Sequence, residues 1–185
     1  MNYLIDTCVL FPTIMRTLLL EAIKLKGDNA FWSEKIFSEW LSSAKKVGEL
    51  GQLQAGSEIA ILRANWPDSI IDFSFELEEY LYLPALNDRH VLAAAIAGSC
   101  DAIVTLNKKD FPTKILDQYG LSRIDPDSIL TEYLNGNDTS KIIEIAERLL
   151  NETNRNLEED WTMRQLFKKA RLPRTAKALS ILTNG

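Results

Sequence analysis

The feature that most constrains this chain is the alternation of short apolar runs with longer stretches of helical periodicity. Tyr3-Leu4-Ile5 and Ala102-Ile103-Val104-Thr105 are too short for helices and are predicted to be buried strands, and 121–124 is a further candidate. Apolar residues recur at helical spacing in stretches such as 14–25 and 88–97. The alternation predicts an α/β fold, a three-layer α/β/α architecture with a parallel sheet of about four or five strands.

Local signals place several helix ends. Pro12 stands where a helix can begin, Gly27 can end that helix, and Ser33 is a candidate N-cap for the next one. Asp88 opens the most apolar helical stretch, which is therefore predicted to be a central buried helix. The stretch 68–83 fits either a strand or an apolar loop.

The domain organisation follows from a polar segment late in the chain. Residues 135–139 (NGNDT) have the composition of a linker. They separate a predicted domain at 1–134 from a helical C-terminal extension at 135–185. Within that extension we expect one helix at about 140–154 and a second at 158–182, interrupted by Pro173.

Composition limits the setting in which the chain works. Two cysteines among 185 residues are too few for a disulfide framework and indicate free thiols in a reducing compartment. The N-terminus lacks the positive region of a signal peptide, and no apolar run is long enough to cross a bilayer. The expectation is a cytoplasmic protein with no membrane partner.

The net charge of −5 disfavours a nucleic-acid partner, but the charge is unevenly distributed. Six basic residues and no acid follow Asp160. This run is either a solvated helix face or a positively charged surface for RNA phosphates or an acidic protein segment. Lys168, Lys169 and Arg171 are the candidate RNA-binding residues.

Several acids stand at places that a simple surface role does not explain. Asp6 follows the first predicted strand directly, and Asp110 follows the second, a few residues after Thr105 and Asn107. Carboxyl ends of parallel strands share one edge of a sheet, where ligands bind. Glu39 borders an otherwise apolar helix face.

If the helices pack on the sheet, four carboxylates converge, those of Asp6, Glu39, Asp88 and Asp110. Convergent carboxylates repel one another unless a proton or a cation is shared, and oxygen ligands favour Mg²⁺ or Mn²⁺. Such a site suits phosphoryl displacement. Each acid alone also has a simpler interpretation: a helix cap for Asp88, a turn residue for Asp6 and Asp110, and a solvated helix position for Glu39.

The order of these motifs resembles that of the PIN-domain family, in its VapC-like toxin subgroup. The opening Asp6-Thr7-Cys8-Val9-Leu10, the stretch from Ser33 to Glu39, and above all residues 88–112 (DRHVLAAAIAGSCDAIVTLNKKDFP) are similar to that family's successive motifs. The resemblance covers about residues 1–134.

The resemblance implies a metal-dependent endoribonuclease, the toxin of a type II toxin–antitoxin pair, with RNA as substrate and an antitoxin protein as partner. It assigns metal binding and catalysis to Asp6, Glu39, Asp88 and Asp110, with Thr105 and Asn107 as polar supporters and Mg²⁺ or Mn²⁺ as the cofactor. Monomer and homodimer both stay open.

Other chemistries fit less well. A phosphatase with an aspartyl-phosphate intermediate needs a general acid two residues after Asp6, where Cys8 stands. His90, the sole histidine, is expected to be a packing or capping residue rather than a base. The remaining alternative is a non-catalytic PIN module that binds RNA or a protein partner.

Overall fold

Four parallel strands form the sheet at the centre of this fold, in the order β2-β1-β3-β4. The computed structural model describes residues 1–183. The strands are β1 (Asn2–Ile5), β2 (Asn29–Phe31), β3 (Ala102–Val104) and β4 (Ser122–Ile124). The predicted α/β class with a central parallel sheet is therefore confirmed.

Helices make up most of the remaining chain. In chain order they are α1 (Thr7–Leu10), α2 (Thr13–Lys26), α3 (Glu34–Lys45), α4 (Glu49–Asn65), α5 (Phe75–Tyr80), α6 (Arg89–Ala97), α7 (Thr113–Leu116), α8 (Pro126–Leu134), α9 (Thr139–Leu157), α10 (Met163–Lys169) and α11 (Pro173–Thr183). Short 3-10 turns occupy Leu86–Asp88 and Asp117–Tyr119. Across residues 1–183, no helix has both the length and the apolar character that crossing a bilayer requires.

Most predicted helix ends are confirmed. Ser33 caps α3, because its side chain accepts a hydrogen bond from the Ile36 N–H at 3.4 Å. Gly27 ends α2 in the left-handed conformation, at φ 73°. The predicted helix at 158–182 is instead two helices, because Pro173 starts α11 rather than interrupting a longer helix, and Arg171 takes a φ of 62° between α10 and α11.

The stretch that the sequence left open has mixed structure. Ile70 forms an isolated parallel bridge with Trp32, and the next residues run without regular structure until α5. A six-residue helix at this place was not predicted. It begins where the Ser74 side chain accepts from the Leu77 N–H at 3.2 Å, a local cap that the apolar pattern did not reveal.

The chain groups into two compact units. The first comprises Met1–Phe11 and Asn29–Ile124 and contains the whole sheet. Its core is built on β3, whose three residues are all buried, and on α6, which is buried from His90 to Ala95 and packs on β1 and β3. The prediction of a central buried helix is thereby confirmed.

The second unit comprises Pro12–Asp28 and the chain from Asp125 onward. Here α2 packs on α8 and α9, while α11 packs on α8 and α10. This grouping joins an early helix to the C-terminal ones. The sequence-based division at residues 134 and 135 follows a different criterion, the linker composition, and stays a prediction.

A buried carboxylate anchors the C-terminal helix within this second unit. Asp127 in α8 is 5% exposed. Its Oδ1 accepts hydrogen bonds from the backbone N–H and the hydroxyl of Thr175, at 2.8 and 2.7 Å. Its Oδ2 accepts from the backbone N–H of Arg174 at 2.9 Å and from its Nε at 3.2 Å. The carboxylate thus caps α11 from a different element and satisfies donors that the first turn of a helix leaves free.

We predict that Asp127→Ala lowers the free energy of unfolding by about 2–4 kcal/mol, because it leaves buried N–H and hydroxyl donors unpaired. Urea denaturation followed by circular dichroism measures the effect. Glu132→Ala, at an exposed position of the same helix, is the matched control and should change stability far less. Equal losses in the two variants would show that Asp127 does not anchor α11.

Candidate active site

The pairing of β1 with β3 brings two predicted site residues together. Ile5 lies opposite Val104 in the parallel register, so Asp6 and Thr105 both follow the carboxyl ends of adjacent strands. The Asp6 backbone N–H donates to the Val104 carbonyl at 3.0 Å, which extends the pairing by one step. This is the edge at which the sequence predicts ligand binding.

Two donors hold the Asp6 carboxylate, which is 5% exposed. Thr105 Oγ1 donates to Asp6 Oδ2 at 2.6 Å, and Cys8 Sγ donates to the same oxygen at 3.0 Å. Burial, followed by the charge of Asp6, raises the pKa of Cys8 to about 12, so the thiol keeps its proton and acts as a donor. No side chain or backbone group among residues 1–183 donates to Asp6 Oδ1, which leaves this oxygen for another ligand.

The loop after β3 supports this arrangement through its backbone. The Asn107 N–H donates to Thr105 Oγ1 at 3.0 Å, and the Leu106 N–H donates to Cys8 Sγ at 3.3 Å. Thr105 is fully buried, whereas Asn107 is exposed. The structure therefore places Thr105 in direct contact with an acid, and Asn107 one step behind it.

Glu39 enters from α3, and each of its two oxygens has a close polar neighbour. Thr7 Oγ1 donates to Glu39 Oε2 at 2.7 Å, and His90 Nε2 lies 3.0 Å from Oε1. Burial alone would raise the pKa of Glu39, but the contacts with His90 and Thr7, and the nearby Lys35, hold that pKa below its ordinary value. Glu39 is therefore an ionised acid with donors around it, although its side chain is 35% exposed.

Asp88 has the opposite environment. It stands at the N-cap of α6, yet its side chain makes no capping hydrogen bond, so the simple capping interpretation lacks its defining contact. Burial raises its pKa to about 6, and the charges of Asp6, Asp110 and Glu39 add to this effect. The four predicted acids, carried by separate parts of the chain, are thus near enough to act on one another.

Asp110 sits in the turn that follows β3. Its backbone N–H donates to the Asn107 carbonyl at 3.2 Å, as a turn residue would. Its carboxylate is half-buried and contributes to the repulsion on Asp88. A turn position and a place in the acidic cluster are therefore compatible for this residue.

The donor set has the chemistry of a hard divalent cation site, since it consists of carboxylates supported by hydroxyls. Within residues 1–183, however, no three acid, histidine or cysteine side chains are close enough to hold one metal ion together. Mg²⁺ is commonly bound through one or two carboxylates, waters and substrate phosphates. The residues thus fit a hydrated Mg²⁺ or Mn²⁺ and do not form a closed metal cage.

The predicted RNA-binding residues belong to the second unit. Lys168 and Lys169 end α10, Arg171 follows them, and all three side chains are exposed. Lys169 Nζ lies 4.4 Å over the Trp161 ring, a cation–π contact that gives this lysine a structural partner as well. Their role in RNA binding stays a prediction.

Three residues in contact with the acids were not predicted from the sequence to support them. Thr7 and Cys8 directly follow Asp6, so their position next to the first acid was the available signal. His90 was expected to pack or cap, and its approach to Glu39 depends on the placement of α3 against α6, which periodicity does not give.

We predict that Asp88→Asn stabilises the protein near pH 7.5. The pKa of Asp88 is about 6 in the folded protein, against an ordinary value of 3.8. The stability that protonated Asp88 contributes is therefore fully present below pH 3.8 and is lost as the pH rises through 6. Removing the charge should raise the free energy of unfolding by on the order of 1 kcal/mol, discounted for partial solvent screening. The gain should vanish by about pH 4.

Urea denaturation of both proteins across this pH range is the measurement. Asp68→Asn, in an exposed turn, is the control and should show no such pH-dependent gain. A variant less stable than the wild type at every pH would contradict the proposed repulsion.

A comparison with one known protein agrees with the motif resemblance over part of the chain. No family model matches. The chain is 44% identical over 48 residues to a Mycobacterium tuberculosis protein that carries the name "Putative ribonuclease VapC50", a match covering 26% of this chain and 28% of that protein. It also aligns with a chain in the crystal structure of VapBC2 from Rickettsia felis bound to a promoter DNA fragment, at 23% identity and a TM-score of 0.49, covering 68% of this chain and 98% of the other. The similarity to VapC50 supports the resemblance of this chain to VapC-like PIN domains.

Proposed function

We propose that this protein is a metal-dependent endoribonuclease. The observation that carries the proposal is that acids far apart in the sequence meet at one edge of the sheet: Thr105 donates to Asp6, Thr7 donates to Glu39, and both acids lie near enough to Asp88 to repel it. A fold gains nothing in stability by gathering carboxylates, so such a cluster indicates a functional site. The partial similarity to VapC50 supports ribonuclease activity as the reaction class.

Each residue has a distinct role in this proposal. Of Asp6, Glu39, Asp88 and Asp110, one or two would bind Mg²⁺ or Mn²⁺ directly and the others would act through its waters. In such sites the ion activates water and offsets charge on the scissile phosphate. Thr105 and Cys8 orient Asp6 by holding Oδ2 and leaving Oδ1 for a ligand. Thr7 fixes Glu39, and the Asn107 backbone fixes Thr105.

The charge of the site limits how a polyanionic substrate can bind. An acidic cluster repels a polyanion unless a cation is shared between them, and a divalent ion meets this need. We propose single-stranded RNA as the substrate, because the motif resemblance and the VapC50 similarity both point to RNA.

We predict that purified protein cleaves single-stranded RNA in Mg²⁺ or Mn²⁺ and loses this activity in excess EDTA. Asp6→Asn and Asp88→Asn should each lower the cleavage rate by roughly 100-fold or more, because each removes a ligand charge while keeping the side-chain shape. Gel-based cleavage of a labelled RNA measures the rate, and Asp68→Asn is again the matched control. Undiminished cleavage in chelator, or by the Asp6→Asn Asp88→Asn double variant, would refute the mechanism.

We further propose that the protein is the toxin of a type II toxin–antitoxin pair, acting in the cytoplasm, with an antitoxin protein as its partner. The support is the VapC-like character of the motifs and of the partial match. Expression of the wild type should arrest bacterial growth, and expression of Asp6→Asn should not. Equal growth under the two would leave a ribonuclease without a toxin role.

A second candidate is a PIN module that binds RNA or a protein without cutting RNA. The observation that favours it is the lack, within the described part of the chain, of three ligands placed around one metal position. RNA binding with no cleavage at any Mg²⁺ or Mn²⁺ concentration would select this candidate.

The C-terminal basic residues offer a way to bring RNA to an acidic protein. We predict that replacing Lys168, Lys169 and Arg171 with glutamine weakens RNA binding and flattens its dependence on salt, because fewer counterions are then released. Fluorescence anisotropy at several salt concentrations measures both effects. A triple glutamine variant at the exposed lysines Lys45, Lys46 and Lys114 is the control for total charge. Identical salt slopes in the two variants would exclude RNA guidance by α10.

A further inference from the structure

His90 is a buried side chain to which the proposed function assigns no role. It lies two residues after Asp88 in α6, and its side chain is 0% exposed. Both ring nitrogens are buried, and neither makes a well-directed hydrogen bond with any residue that the structure describes. Burying an imidazole without a hydrogen-bond partner costs free energy, so its role is expected to involve the polar groups around it.

The closest acceptor is the Glu39 carboxylate. His90 Nε2 is 3.0 Å from Glu39 Oε1, a hydrogen-bonding distance, although the N–H direction is off the line between the two atoms. A rotation of the imidazole ring would bring the N–H onto this line, and the 3.0 Å separation is already that of a hydrogen bond.

Glu39 is gripped from the other end as well. Thr7 Oγ1 donates to Oε2 at 2.7 Å, so each oxygen of this carboxylate has its own neighbour. The terminal torsion of a glutamate is broad and weakly restrained. The side-chain torsions of Glu39 alone would not fix the plane of its carboxylate. Contacts at both oxygens would fix it.

We propose that His90 is a positioning residue, which donates from Nε2–H to Glu39 Oε1 and, together with Thr7, fixes the Glu39 carboxylate in the orientation that binds the divalent cation. This inference rests on the proposed function. It also explains why a polar side chain occupies the most apolar helix of the protein, where every residue from Val91 to Ala95 is buried and apolar. Partners that orient a metal ligand commonly change metal affinity by about 10–100-fold when they are removed.

The first test observes the contact itself in metal-free protein. His90 is the only histidine in the chain, so the imidazole nitrogens give a single set of NMR signals. Glu39→Gln should shift the Nε2 and Nε2–H resonances, and Glu34→Gln, at an exposed position of the same helix, should not. Imidazole signals that are the same in wild type and Glu39→Gln would overturn the proposal.

The second test is a double-mutant cycle on Mn²⁺ affinity, measured by calorimetry. His90→Leu keeps a side chain of similar bulk and removes the donor. We expect about a 10-fold weaker affinity in the wild-type background and less than about a 2-fold change in the Glu39→Gln background. Equal losses in both backgrounds would mean that His90 acts by packing alone and would overturn the proposal.

Two further variants keep the cycle decisive. If His90→Leu does not fold, His90→Gln and His90→Ala take its place, and the glutamine variant, which retains a donor, should bind Mn²⁺ more tightly than the alanine variant. The reverse order would overturn the proposal. A wild-type protein that neither binds Mn²⁺ nor cuts RNA would instead refute the proposed function, and the imidazole signals would still decide the His90–Glu39 contact.

Discussion

The parallel pairing of β1 with β3 is the interaction on which the candidate site depends. It sets Asp6 beside Thr105, and the hydrogen bond between them, at 2.6 Å, ties the ends of two strands that are about a hundred residues apart in the sequence. A shift of one residue would turn Asp6 toward the opposite face of the sheet, since side chains alternate along a strand. The fully buried residues of β3 disfavour such a shift.

The acids around this edge differ in how many hydrogen-bond donors surround their carboxylates. Asp6 and Glu39 are surrounded by hydroxyl, thiol or imidazole groups, whereas the Asp88 side chain accepts no capping bond and takes the repulsion of the others. Oriented donors fix the carboxylates of Asp6 and Glu39, whereas burial and the neighbouring charges raise the pKa of Asp88. In the proposed function, a divalent ion would offset the repulsion on Asp88. Asp88, Asp6 and Glu39 would then act as one site.

The sequence predicted what short-range patterns can carry. Residues 3–5 of β1 and all of β3 are buried and apolar, and α6 is apolar on nearly all sides, so the types and positions of these elements could be predicted. β2 was missed because only Ala30 of its three residues is buried and its strand character comes from pairing with β1. The contact of His90 with Glu39 was equally hidden, because it depends on the distance between two helices and not on the pattern within either.

The connection from β1 to β2 has a consequence for how this protein is made. It runs through α2, whose partners α8 and α9 lie more than a hundred positions later in the chain. During synthesis α2 leaves the ribosome early. Its apolar face, with Leu18 and Leu19, stays uncovered until α8 and α9, in the last third of the chain, have been translated. We therefore expect prematurely terminated products to expose this face and to be recognised by chaperones and proteases.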